Sequence, residues 1–159
     1  MRFSVVVMVT GCWTATPVSP ALPISKPAPR PAVALPSPRS AEVGIFTLTG
    51  FVASDEIPMY MDPTFGWRIQ LDCANGDVIR VREEFRLPKP GVWSPSPNLE
   101  IRDEGRIARF RGEAICGDDG WIEKGWSLSP GDPPGDWVIK VTPAGYKTTT
   151  FHATFLETP

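Results

Sequence analysis

The feature that most constrains this chain is strict alternation in "FGWRIQLD", where Phe65, Trp67, Ile69 and Leu71 share one side and Gly66, Arg68, Gln70 and Asp72 the other. A side-chain period of two is that of a β-strand with one buried and one wet face. The same grammar recurs beyond Ser40 in short runs broken by Gly, Pro, Asp and Asn, which is the punctuation of an all-β domain. Asn75-Gly76 suits a tight turn with positive φ and predicts a hairpin to Val78–Phe85, with Ile79, Val81 and Phe85 inward and Arg80, Arg82 and Glu84 in water. That face is basic, and a solvated surface with cross-strand charge pairs is the reading preferred over an anion site.

Further runs complete the pattern. "GDWVIKV" buries Trp137, Ile139 and Val141, "PAGYK" turns, and Thr149, Phe151, Ala153 and Phe155 return on the same side. Val43–Ala53 reads as one strand with a bulge at Gly44 or Gly50, and Ile107–Cys116 and Trp121–Leu128 as two weaker strands joined through Gly117–Gly120. The expected fold is an immunoglobulin-like antiparallel β-sandwich of about seven strands, with a small barrel as the second choice.

Ahead of the domain lies a different kind of chain. Arg2, the apolar run Phe3–Val9 and the small pair Thr10-Gly11 follow the order of a secretory signal, and Val9-Thr10-Gly11-Cys12 resembles a bacterial lipobox, which implies lipid attachment at Cys12. From Thr14 to Arg39 eight prolines recur with no glycine and no acidic residue, which predicts a disordered, polyproline-like tether of up to roughly 80 Å. The expected organisation is a signal peptide over 1–11, lipid attachment and Pro-rich linker over 12–40, and the sandwich over 41–159. Cys73 and Cys116 remain inside the domain, both on inward parity, and export predicts that they pair.

The stretch "SDEIPMYMDPTFGWRIQL", a proline-rich loop, "PPGDWVIKV" and the closing "TTFHATF" are similar to the bacterial domain of unknown function DUF3859, from about Ser54 to Leu156. The resemblance implies a compact sandwich and brings no catalytic residue. The cysteine pair and the loop "RLPKPGVWSPSP" depart from it.

A net charge of -2 gives no electrostatic footprint for nucleic acid. The single histidine, His152, alternates out of the last strand, and neither a nucleophile elbow nor a metal-spaced His/Cys cluster is present in the sequence. No cofactor, metal or catalytic residue is therefore expected. The pairs Asp55-Glu56 and Asp118-Asp119 read as turn residues, the second also weighed as a weak calcium site. Trp67, Trp121, Trp126 and Trp137 read as core mass. Trp93 sits in the stiff loop "KPGVWSPSPN" and reads either as part of a binding surface with Lys89, Asp55 and Glu56 or as a lid folded over the sandwich edge. These readings converge on a monomeric, non-catalytic module, lipid-anchored on the periplasmic side of a bacterial envelope and binding a protein or cell-wall partner. The alternatives are a secreted, unanchored binding protein or inhibitor, and a carboxylate-dependent enzyme acting on polysaccharide.

Overall fold

The computed structural model describes residues 34–61 and 63–157. The expected signal peptide over 1–11, the expected lipid attachment at Cys12 and the Pro-rich segment up to residue 33 lie outside the described residues. Ten strands are formed: β1 Ser40–Thr47, β2 Gly50–Ala53, β3 Glu56–Pro58, β4 Thr64–Gln70, β5 Val78–Arg86, β6 Leu99–Arg102, β7 Ile107–Ile115, β8 Trp121–Ser127, β9 Gly135–Pro143 and β10 Thr149–Leu156. They make a four-stranded sheet in the order β2-β1-β4-β8 and a six-stranded sheet in the order β3-β10-β9-β5-β7-β6. All pairings are antiparallel except β3 beside β10.

The expected sandwich is present, with ten strands instead of about seven. The additional ones are β2, β3 and β6, each three or four residues long and each at a sheet edge, too short for alternation to register. Val43–Ala53 is not one bulged strand: it folds into the β1–β2 hairpin, with Thr47 opposite Gly50. Inward parity is as read from the sequence for β4, β9 and β10, whose Trp67, Ile69, Trp137, Ile139, Phe151 and Phe155 are all buried. Phe65, Trp137 and Phe155 lock one end of the core, with Trp137 stacked on Phe155 at 4.0 Å and Phe65 edge-on to both.

The predicted β4–β5 hairpin is the main correction. β4 belongs to the four-stranded sheet and β5 to the six-stranded one, so the chain arches from one layer to the other between them. Gly76 does take positive φ, at 85°, but as part of this arch. The β7–β8 connection is a second arch beside the first. The two are laced together: the N–H of Gly76 donates to the carbonyl of Cys116 at 2.8 Å, that of Cys116 to Asp77 at 2.9 Å, and that of Leu71 to Gly120 at 2.9 Å. The Cys73–Cys116 disulfide joins them, with a Cα separation of 6.3 Å. Sequence parity could place both cysteines inward; only the arches make them neighbours.

Trp121 also departs from expectation. It lies on the outer face of the four-stranded sheet, where the Arg68 guanidinium is inserted between it and Phe51, with its central carbon 4.6 Å and 4.7 Å from the two ring centroids. Beside this stack Gly44, Gly66 and Gly125 face one another across three strands, and a Cβ on Gly66 would come within 2.7 Å of the Phe46 ring. The rings of Phe46 and Phe51 thus fill a trough that side chains would close.

The domain begins slightly before β1. The carbonyl of Pro36 accepts the N–H of Lys147 and the N–H of Arg39 donates to Gln70, both at 2.9 Å, so the end of the proline-rich segment is strapped to the sandwich.

The disulfide closes a separation of 43 residues, for which the chain-entropy account gives about 4 kcal/mol of stabilisation. Replacing Cys73 and Cys116 together by alanine is expected to lower the unfolding free energy by about that amount. Urea denaturation of the full chain measures it, and reductant should have no further effect on the variant.

Candidate functional site

The residues singled out from the sequence are not gathered into one site. Lys89 follows β5 and Glu56 is on β3, with β10 and β9 between those strands, a separation of roughly 14 Å at ordinary strand spacing. Asp55, Glu56 and Lys89 are exposed. Trp93 adopts the lid geometry. Its Nε1 donates to the carbonyl of Gly105 at 2.8 Å, and its ring lies about 6 Å from those of Phe85 and Phe110. Asp132 fastens the same loop by accepting from the N–H groups of Val92 and Ser129. Asp119 accepts the N–H of Trp121 within its own turn, and His152 points to solvent. Among the described residues no three His, Cys, Asp or Glu converge as metal ligands.

The inward face of β5 carries a residue that the sequence reading passed over. Glu83 is on the same parity as Val81 and Phe85, and its side chain is fully buried. Its Oε1 accepts Trp67 Nε1 at 2.7 Å and Trp126 Nε1 at 2.9 Å, while Oε2 takes Lys124 Nζ at 2.5 Å. The donors come from β4 and β8, so one carboxylate ties the two sheets together. Lys124 is inward for the same reason: it pairs in register with Trp67 and its ammonium lies 4.5 Å from the Trp126 ring centroid. Gly112 on β7 makes the room, since a Cβ there would stand 3.1 Å from Nζ. With both oxygens occupied by donors from the fold itself, this is a structural bolt. Its parity with Val81 and Phe85 is the sequence signal that points to it.

The outer face of the six-stranded sheet is the strongest candidate surface. Strand register arranges its side chains in rows. In one row Glu100, Arg109, Glu84 and Lys140 lie opposite one another on β6, β7, β5 and β9, with alternating sign. Glu84 is the centre: Arg86 and Arg109 each reach it at 2.7 Å and Lys140 stands at 3.9 Å. Partial burial pushes its carboxyl up, yet the hydrogen bonds and charges of Arg86 and Arg109 outweigh this and leave it below the ordinary glutamate range.

The next row on that face is different. Arg111 lies opposite Arg82, and Arg82 opposite Thr142, on β7, β5 and β9. Asn98 extends the row by accepting the Arg111 N–H at 3.1 Å, and Thr148 by a hydroxyl contact of 2.8 Å with Thr142. The row contains two cations and no carboxylate. Among the described residues neither Arg82 nor Arg111 is in an ion pair, and both are exposed. Two adjoining depressions in the surface share Arg82, Asn98, Arg111 and Thr142 as lining. The expectation of a face neutralised by cross-strand pairs thus holds for the Glu84 row and fails for this one.

A family model described as the PM0630 beta sandwich domain matches residues 47–154. The chain belongs to this family. The matched stretch runs from the end of β1 into β10 and includes both charged rows and the Glu83 bolt. Among solved structures it is similar to an immunoglobulin-like protein from Pseudomonas aeruginosa, at 13% identity and a TM-score of 0.50, covering 78% of this chain and 98% of that one. That likeness is one of fold. No curated protein matches the chain.

Two outcomes are expected. Glu83→Ala should cost about 3–5 kcal/mol, because it strands a lysine and two indole N–H groups, whereas the paired change Glu83→Leu with Lys124→Met should recover only the part due to the stranded lysine, since the N–H groups of Trp67 and Trp126 still lack an acceptor. Urea unfolding followed by tryptophan fluorescence measures both. For Glu84, a carboxyl lowered in the native state stabilises fully above the ordinary glutamate value of the unfolded chain and loses that contribution as pH falls through the lower native value. The urea midpoint should therefore drop between pH 5 and pH 3 by more in the wild type than in Glu84→Gln.

Proposed function

We propose that the protein is an exported, lipid-anchored module of the bacterial envelope, periplasmic in location, and that its sandwich serves as a non-catalytic binding domain for a protein or cell-wall partner. The observation that carries the reading is the Cys73–Cys116 disulfide, since such bonds persist in oxidising compartments outside the cytosol. The lipobox-like Val9-Thr10-Gly11-Cys12 supplies the anchor and the proline-rich stretch after it supplies the reach. The similarity to DUF3859 overlaps the matched stretch and belongs to the same reading.

The carboxylates favour binding over catalysis. A general acid on a sugar bond needs a raised pKa and free access to its substrate. Glu83 has both oxygens occupied inside the core, and Glu84 is shifted the other way. The outer face with Arg82 and Arg111 is instead accessible, polar and held on rigid strands, the setting in which a binding surface works well.

Mass spectrometry of the protein from its native membrane is expected to find residues 1–11 removed and an acylated Cys12 at the N-terminus. A cleaved but unmodified terminus would make it a secreted binding protein, and an intact Met1 with reduced Cys73 and Cys116 would overturn export altogether.

A further inference from the structure

We propose that Arg82 and Arg111 form the core of a phosphoryl-binding site on the outer face of the six-stranded sheet. The inference deepens the binding reading above by naming the chemistry of the ligand, and it does not depend on how the chain is anchored.

Like charges placed directly opposite on neighbouring strands repel, and a sheet face selected only for stability avoids them. This protein shows that it can avoid them: two residues along the same strands, Arg109 and Lys140 both converge on Glu84, and Arg102 pairs with Glu100. Against that background Arg82 opposite Arg111 is a local conflict with the rest of the face, and such conflicts gather where a ligand resolves them. Glu84 cannot serve as the missing anion, because its oxygens are taken by Arg86 and Arg109. Glu113 lies opposite Arg80, one row away from the arginine pair, and Glu100, near enough to feel the charge of Arg111, is hydrogen-bonded to Arg102 instead.

The remaining groups of the row select the anion. Two guanidinium groups carry two positive charges and donate through planar forks suited to paired oxygens. A phosphate monoester carries about -1.5 to -2 at neutral pH and presents three acceptor oxygens, so it balances the pair, whereas one carboxylate would leave one arginine uncompensated. Thr142 and Thr148 share a 2.8 Å hydroxyl contact, which consumes one O–H and leaves the other free to donate. The Asn98 side chain at the far end of the row can supply an amide donor. Every one of these groups stands on or beside a strand of one sheet, so the site is formed before the ligand arrives.

The test uses the full chain and two probes, inorganic phosphate and glycerol phosphate, titrated by calorimetry at constant ionic strength against acetate. Saturable binding of a phosphate probe is expected, with acetate weaker, and Arg82→Gln or Arg111→Gln should weaken it about ten-fold or more. Arg86→Gln, which removes a cation already paired to Glu84, should leave it within about two-fold. Thermal unfolding without phosphate adds a signature that a structural role would not give: Arg82→Gln and Arg111→Gln should melt at or above the wild-type temperature, since each relieves repulsion. Tighter binding of the ester than of phosphate assigns the group to a larger envelope molecule, and equal binding assigns it to free phosphate; both support the site. Absence of saturable binding, acetate binding as tightly as phosphate, or wild-type affinity in Arg82→Gln overturns it. None of those results would alter the N-terminal mass that tests anchoring.

Discussion

Everything in this sandwich depends on the chain changing layers twice at the same place. β4 leaves the four-stranded sheet for β5, and β7 leaves the six-stranded sheet for β8, and the two arches lie side by side. Backbone hydrogen bonds between Gly76, Cys116 and Asp77 hold them in register, and the Cys73–Cys116 bond makes the junction covalent. Once these crossings are set, β4 and β5 must face each other across the core instead of pairing edge to edge. Trp67 and Glu83 then meet through their side chains.

That meeting explains why a charged residue can occupy the core. Burying a carboxylate alone would be prohibitive, but Glu83 receives two indole N–H groups and a lysine from the opposite sheet. The hydrophobic clusters on either side, Phe65 with Trp137 and Phe155 and Phe85 with Phe110 and Trp126, are non-directional and would tolerate sliding. The hydrogen bonds to Glu83 are directional and would not. The bolt therefore sets the alignment of the two sheets, while the aromatic groups and the aliphatic residues between them supply the buried core.

The same rigidity organises the outer surface. Because β5, β7 and β9 are paired over most of their length, the order of charges on their wet face is a direct consequence of register. One row closes on itself through Glu84 and the next stays open at Arg82 and Arg111. A shift of two residues in β7 against β5 would have placed Arg109 or Glu113 opposite Arg82, and either the repulsion would be absent or the pairing elsewhere lost. The open row is thus a property of the assembled sheet and not of any strand alone.

Much of this was legible in advance. Alternation in Phe65–Leu71, Trp137–Val141 and Phe151–Phe155 determined the fold class and most of the core, because one buried face imposes a period of two whatever the partner strand is. Inward parity for Cys73 and Cys116 was equally readable. What alternation cannot say is which strand lies beside which. It took the tertiary structure to turn the Asn75-Gly76 hairpin into an arch, to set Trp121 outside against Arg68, to fold Trp93 onto the edge and to bring Glu83 under two tryptophans. The candidate site shows the division most clearly. The sequence by itself determined that Arg82 faces water, through local geometry; that Arg111 stands on the same face was seen only in the assembled sheet. That they face each other was decided only by the register of β5 with β7, a long-range pairing whose energy no single strand contains.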